Sequence, residues 1–280
     1  MLSRRIRTFA LVLLPVMSAA VAREAGAQNV ARQQQLDEIS ARGRALAGYQ
    51  RAAWTASMQL LATNPDPWQV QRYVAYHADS GWVIAFGRMN AERDTFYVSH
   101  IAIPAAVNGQ RTDSTYEFQT FAAPGPDTGY LVRAARAMDL ATMTLGVTAR
   151  AYSAAAIPNE KGEWLVYLTP SADAANVWPL GDDVRYRVSA DGLRILETHR
   201  MHVGMMEASR GTGSSDARLV AKGSGKALRD LPEDSDVFHV LMNRPAAAEV
   251  VVTSRHRYRI DVDGSITLLQ GKETVVGATR

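Results

Sequence analysis

Arg185-Tyr186-Arg187-Val188-Ser189-Ala190-Asp191-Gly192 returns 72 residues later as Arg257-Tyr258-Arg259-Ile260-Asp261-Val262-Asp263-Gly264. Each run alternates, stops at Asp-Gly and resumes with further alternation. A period of two places successive side chains on opposite faces of a strand. Asp-Gly between two such runs signals a two-residue hairpin, because a type I′ turn needs positive φ at both central positions. The second half of the chain is therefore expected to be built on antiparallel hairpins, with Gly192 and Gly264 in left-handed turn positions.

A two-residue turn at Asp191-Gly192 pairs Val188 with Ile195, Tyr186 with Glu197 and Val184 with His199. Glu197 and His199 then share a face with an apolar patch. A carboxylate and an imidazole in such surroundings form a candidate acid–base pair; a solvated hairpin end is the other reading. Met201-His202-Val203 continues this strand, with His199 and His202 on opposite faces. Beyond it, residues 209–226 are rich in Gly and Ser, and residues 230–236 are acidic with a Pro. Arg218–Ala221 is a brief strand in that loop. Val237–Met242, which includes His239, and Glu249–Thr253 are read as strands leading into the second hairpin.

Upstream, Trp164–Leu168 is a wholly apolar strand after the turn Asn159-Glu160-Lys161-Gly162, preceded by a strand from Ala151. Leu131, Ala135, Met138, Thr142 and Leu145 recur on one helical face, so a helix is expected over 127–146, capped by Asp127-Thr128 and closed at Gly146. Residues 104–126 carry Pro104, Asn108-Gly109 and Pro124-Gly125-Pro126 and read as loop, with one strand at Thr115–Phe121. Earlier still, Gln71–His77, Trp82–Phe86 and Thr95–Ile103 form a three-stranded meander. His77 and His100 lie in it and are read as packed or solvated side chains.

The helix from Val30 to about Thr63 has Leu36, Ile39, Leu46, Ala53, Met58 and Leu61 at helical spacing and ends at Asn64-Pro65-Asp66-Pro67. Trp54 and Met58, four apart, are expected to pack onto the sheet. Both halves read as a helix, turn-separated strands and a Trp-led apolar strand, which suggests two related αβ halves.

Residues 1–27 have the layout of a cleaved secretory signal peptide: Arg4, Arg5 and Arg7, an apolar run from Phe9 to Ala22, and small residues at Ala20-Val21-Ala22 and Ala25-Gly26-Ala27. Cleavage is expected after Ala27. An uncleaved anchor is the alternative. The apolar run is shorter than the ~20 residues that a spanning helix needs. Arg7 after Arg4-Arg5 favours the general secretory route over twin-arginine export. A periplasmic or secreted protein is expected, with no membrane span after cleavage.

The chain has no cysteine, which excludes disulfides and a thioether lipid anchor. The net charge of +3 is carried by residues 1–27: losing four arginines and one glutamate leaves the rest neutral. A neutral chain gives no electrostatic reason to expect a nucleic acid or an anionic membrane as partner.

Familiar catalytic patterns are missing. Gly223-Ser224-Gly225-Lys226 lacks the first Gly of a phosphate loop and the Ser or Thr after Lys. No G-x-S-x-G or H-E-x-x-H occurs. Asp261-Val262-Asp263-Gly264 has Arg259 and Gln270 at the outer ligand positions of a calcium loop. No metal or other cofactor is expected.

The reading is an α+β protein in which helices 30–63 and 127–146 pack on largely antiparallel sheet, with segments 1–27, 28–125 and 126–280; the last two form one domain or two. The leading functional expectation is a non-enzymatic envelope binding or assembly module that presents a sheet face or the 207–236 loop to an envelope protein. One alternative is a hydrolase using Glu197 and His199 with His202 or His239. Another is a carrier holding a small apolar ligand between helix and sheet.

Overall fold

The structure, a computed structural model, describes residues 14–107, 109–171, 179–202, 204–206, 217–221, 230–243, 247–253 and 255–269. The basic head of the expected signal peptide and most of the 207–236 loop lie outside them. Among the described residues no helix is long and apolar enough to cross a membrane.

The chain is α+β, as its patterns predict. A long helix, α1 (Leu14–Leu61), leads into a four-stranded antiparallel meander: β1 (Arg72–Ala78), β2 (Gly81–Met89), β3 (Phe96–Val107) and β4 (Gln110–Asp127). A second helix, α2 (Tyr130–Leu145), is followed by β5 (Tyr152–Pro158), β6 (Trp164–Pro170), β7 (Leu180–Gly181), β8 (Val184–Val188) and β9 (Ile195–Arg200). Of these, β5, β6, β8 and β9 form a second antiparallel sheet in that order, while β7 pairs with β10 (Met205–Met206). The chain closes with β11 (Ala217–Ala221), α3 (Asp234–Met242), β12 (Ala248–Val252), β13 (Arg257–Ile260) and β14 (Ile266–Leu269). In this third sheet β11 pairs in parallel with β12, and the other pairs are antiparallel.

The first two sheets meet edge to edge at β1 and β5. Alternate residues of their strands enter different cores. Ala75, Ile84, Phe86, Ala155 and Tyr167 pack with the second half of α1, whereas Val74, Ala85, Ala156, Val166 and Leu168 pack with α2. The two helices therefore cover opposite faces, which is why Trp82–Phe86 and Trp164–Leu168 are apolar throughout rather than alternating. The Tyr49 hydroxyl sits at the seam, 3.2 Å from the Ala75 amide of β1, and the Ala156 backbone of β5 also bonds to it. A third core joins Leu36 and Ile39 of α1 to Val237 and Val240 of α3 and to Val251, Tyr258 and Ile260.

Four sequence expectations are corrected. Val237–Met242 is helical. Glu233 caps α3, with its side chain on the N3 amide, and the Asp236 carboxylate accepts the Glu233 amide at 2.7 Å. That capping box, together with two apolar contact surfaces, overrides the β-branched start of the run. Residues 110–127 form one continuous strand. As β4 is the outer strand of its sheet, Pro124 and Pro126 cost it no central ladder bond, and bulges absorb the irregularity. Trp54, Met58 and Leu61 are 45%, 53% and 62% exposed, because α1 buries the stripe through Tyr49, Ala53, Ala56 and Leu60 instead.

The fourth correction concerns the 188–195 hairpin. Gly192 has φ +78°, and Asp191 is not at positive φ. Ser189 bonds Arg194 across a longer loop, the Gly192 amide donates to the Ser189 carbonyl at 2.8 Å, and the Asp191 carboxylate accepts from the Leu193 amide. A bulge at Arg187/Val188 follows, so Val188 pairs with Ile195 but Glu197 pairs with Arg187 and His199 with Arg185. Glu197 and His199 thus lie on the face opposite Val184 and Tyr186.

Candidate functional site

The first turn of α3 carries Glu233, Asp234 and Asp236, all buried. Carboxylates at a helix N-terminus meet unpaired amides and the positive end of the dipole. Each also meets a basic or hydroxyl group brought from another element. Asp234 is the hub: Arg42 of α1 donates from Nε to both carboxylate oxygens at 3.0 and 3.1 Å, Arg185 of β8 donates from Nη1 to Oδ2, and the Tyr167 hydroxyl of β6 donates to Oδ2 at 2.9 Å. Burial raises the Tyr167 pKa and Asp234 raises it further, so the phenol stays protonated as a donor.

The three candidate histidines do not converge on a shared site. His199 Nε2 lies 2.9 Å from Glu233 Oε2. His202 bridges Asp183 at 2.8 Å and Asp236 at 3.1 Å, with the Ser235 hydroxyl 3.3 Å from Nδ1. Burial works against charge on the His202 ring, but Asp236 and Asp183 outweigh it and push the pKa up to about 10. At neutral pH the ring is an imidazolium, which donates from both nitrogens and cannot take a further proton. His239, on α3, lies 3.0 Å from Glu249 of β12. Glu197 is on the surface in an ion pair with Arg187. In the first sheet, His77 packs edge-on against Trp82, and His100 is held neutral by burial beside the Ser99 hydroxyl. Among the described residues no group of three or more His, Asp or Glu side chains is disposed to hold a metal.

The open space lies on the other side of Asp234. A cleft of about 570 Å³ runs between α1 and the β5–β6 hairpin, lined by Ile157, Pro158 and Leu165 and, at the β5–β6 turn, by Glu160 and Lys161. A second hollow of about 460 Å³ extends along α1 past Arg32 and Gln35 towards Asp230 and Glu233. Glu38, Arg42 and Arg185 line both. Both concavities are therefore bordered by the two arginines that neutralise Asp234.

None of the four residues singled out from sequence lines either space. The residues that do, Arg42 and Arg185, carry no motif, and Asp234 lies 192 positions from Arg42 and 49 from Arg185. The one local signal was Glu233 and Asp236 spaced as a capping box behind Pro232, which marks a helix start where charged side chains gather. Comparison with family models, with curated protein sequences and with solved structures finds no match for the chain.

Proposed function

We propose that the chain is an exported, non-enzymatic binding module of the cell envelope whose ligand enters the cleft at Arg42 and Arg185. Export rests on the sequence of residues 1–27. The observation that carries the binding reading is the sequestration of the histidines: His199, His202 and His239 are each buried against a carboxylate, and none faces the cleft. A general base needs hydrogen-bond access to the proton it removes, and these rings lack it. The cleft instead combines an apolar wall with fixed charge, the usual makeup of a small-molecule site. A carrier of a small apolar molecule is a second reading, favoured by Ile157, Pro158 and Leu165.

The test is a broad hydrolase screen on the purified chain, run beside native mass spectrometry of protein isolated from its own envelope fraction. A bound small molecule and no turnover are expected. Turnover that disappears in a folded His199→Ala or His202→Gln variant would overturn the reading.

A further inference from the structure

We propose that the cleft binds an anionic amphiphile, with a phosphate or carboxylate group on Arg42 and Arg185 and an apolar body along Ile157, Pro158 and Leu165. This rests on reading the cleft as the ligand site and adds the chemical class. Arg42 reaches Asp234 through Nε alone, and Arg185 through Nη1 alone. Among the described residues the remaining N–H groups of both forks make no other hydrogen bond, and none is a buried donor left without a partner. They are therefore available to the hollows that Arg42 and Arg185 line. Two adjacent guanidinium forks with available N–H pairs match the bidentate geometry of a carboxylate or phosphate.

Asp234 neutralises one of the two arginines from behind, leaving one positive charge at the junction, while Lys161 and Glu160 on the cleft lining offset each other. Besides Asp234, Arg42 has a second opposing charge in Glu38, 55% exposed and 3.7 Å from Nη1, and Glu38 lines both hollows. Glu38 therefore occupies the place on Arg42 that a ligand anion would take.

The sign of the Glu38 effect makes the test decisive. Isothermal titration of the chain with octyl phosphate, octanol, octyltrimethylammonium and inorganic phosphate separates head charge from apolar body. Octyl phosphate is expected to bind at least about tenfold more tightly than each of the other three. Glu38→Gln is expected to tighten it severalfold, and Arg185→Lys, which keeps the charge but loses the fork, to weaken it about tenfold. Arg185 also neutralises buried Asp234, so Glu38→Gln, at an exposed position, carries the test should Arg185→Lys fail to fold. Sedimentation with phosphatidylglycerol vesicles identifies the source. Binding lowered by Arg185→Lys assigns a bilayer lipid, and octyl phosphate binding without vesicle binding assigns a dispersed molecule; both support the proposal. Equal binding of octanol or octyltrimethylammonium, inorganic phosphate binding as tightly as octyl phosphate, or no gain from Glu38→Gln would overturn it. Hydrolase turnover with the octyl phosphate preference intact would overturn the binding-module reading and leave the ligand class standing.

Discussion

His202 Nε2 lies 3.1 Å from Asp236 Oδ1, and this contact fastens the end of the second sheet to the start of α3. With Asp183 on the other ring nitrogen, the buried group is a carboxylate–imidazolium–carboxylate sandwich. Its folded pKa of about 10 lies above the unfolded value of 6.5. The stability it contributes is therefore complete below about pH 6.5 and is lost as pH rises towards 10. Thermal melts should show Tm falling across that window. A flat profile from pH 6.5 to 10 would show that the ring is not held charged.

His202→Gln removes the cation and leaves Asp183 and Asp236 buried without it. Loss of one partner from a buried ion pair costs about 3–5 kcal/mol. Urea unfolding at pH 7 should register a loss of that size, and the variant's stability should lose its slope between pH 6.5 and 10.

Tyr49→Phe keeps the ring contacts with Trp82 and Tyr73 and deletes only the hydroxyl that bonds the β1 and β5 backbones. Buried amides left without an acceptor cost about 1–3 kcal/mol. Chemical unfolding should show this loss with an unchanged m-value; a silent substitution would remove the seam role assigned to the hydroxyl.

Gly192→Val and Gly264→Val should both destabilise, because each glycine is left-handed, at φ +78° and +82°. They differ in their surroundings. A Cβ on Gly192 would stand 2.5 Å from the Arg133 carbonyl of α2, whereas one on Gly264 meets only side chains, at 3.1 Å and beyond. We expect about 2–4 kcal/mol at Gly192 and about 1–3 kcal/mol at Gly264. Melts of the two variants give the order, and Gly264→Val as the more damaging would contradict it.

Met58→Gln should change stability by no more than about 0.5 kcal/mol, since the side chain is exposed. Leu46→Ala, on the buried face of the same helix, should cost about 2–5 kcal/mol. Denaturant midpoints of the pair check which face of α1 is inside.

Local patterns determined what depends on near neighbours in the chain. The switch of period from near 3.6 to 2, twice, marks α1, α2 and the strands that follow, because burial on one face imposes that spacing wherever the element ends up. The proline cluster after Thr63 and the left-handed Gly192 and Gly264 are equally local. What tertiary structure decided is whatever depends on partners far along the chain. The run Val237–Met242, five apolar residues and His239, suits strand or helix equally; contact with α1 on one side and the third sheet on the other made it α3. A single bulge at Arg187/Val188 moved Glu197 and His199 to the opposite face, since side chains alternate with period two and one extra residue inverts every later one. Arg42, Tyr167, Arg185 and Asp234 come from four elements and meet only when those elements pack. A buried carboxylate draws its counter-charges from wherever the fold supplies them, and no spacing in the sequence records that choice.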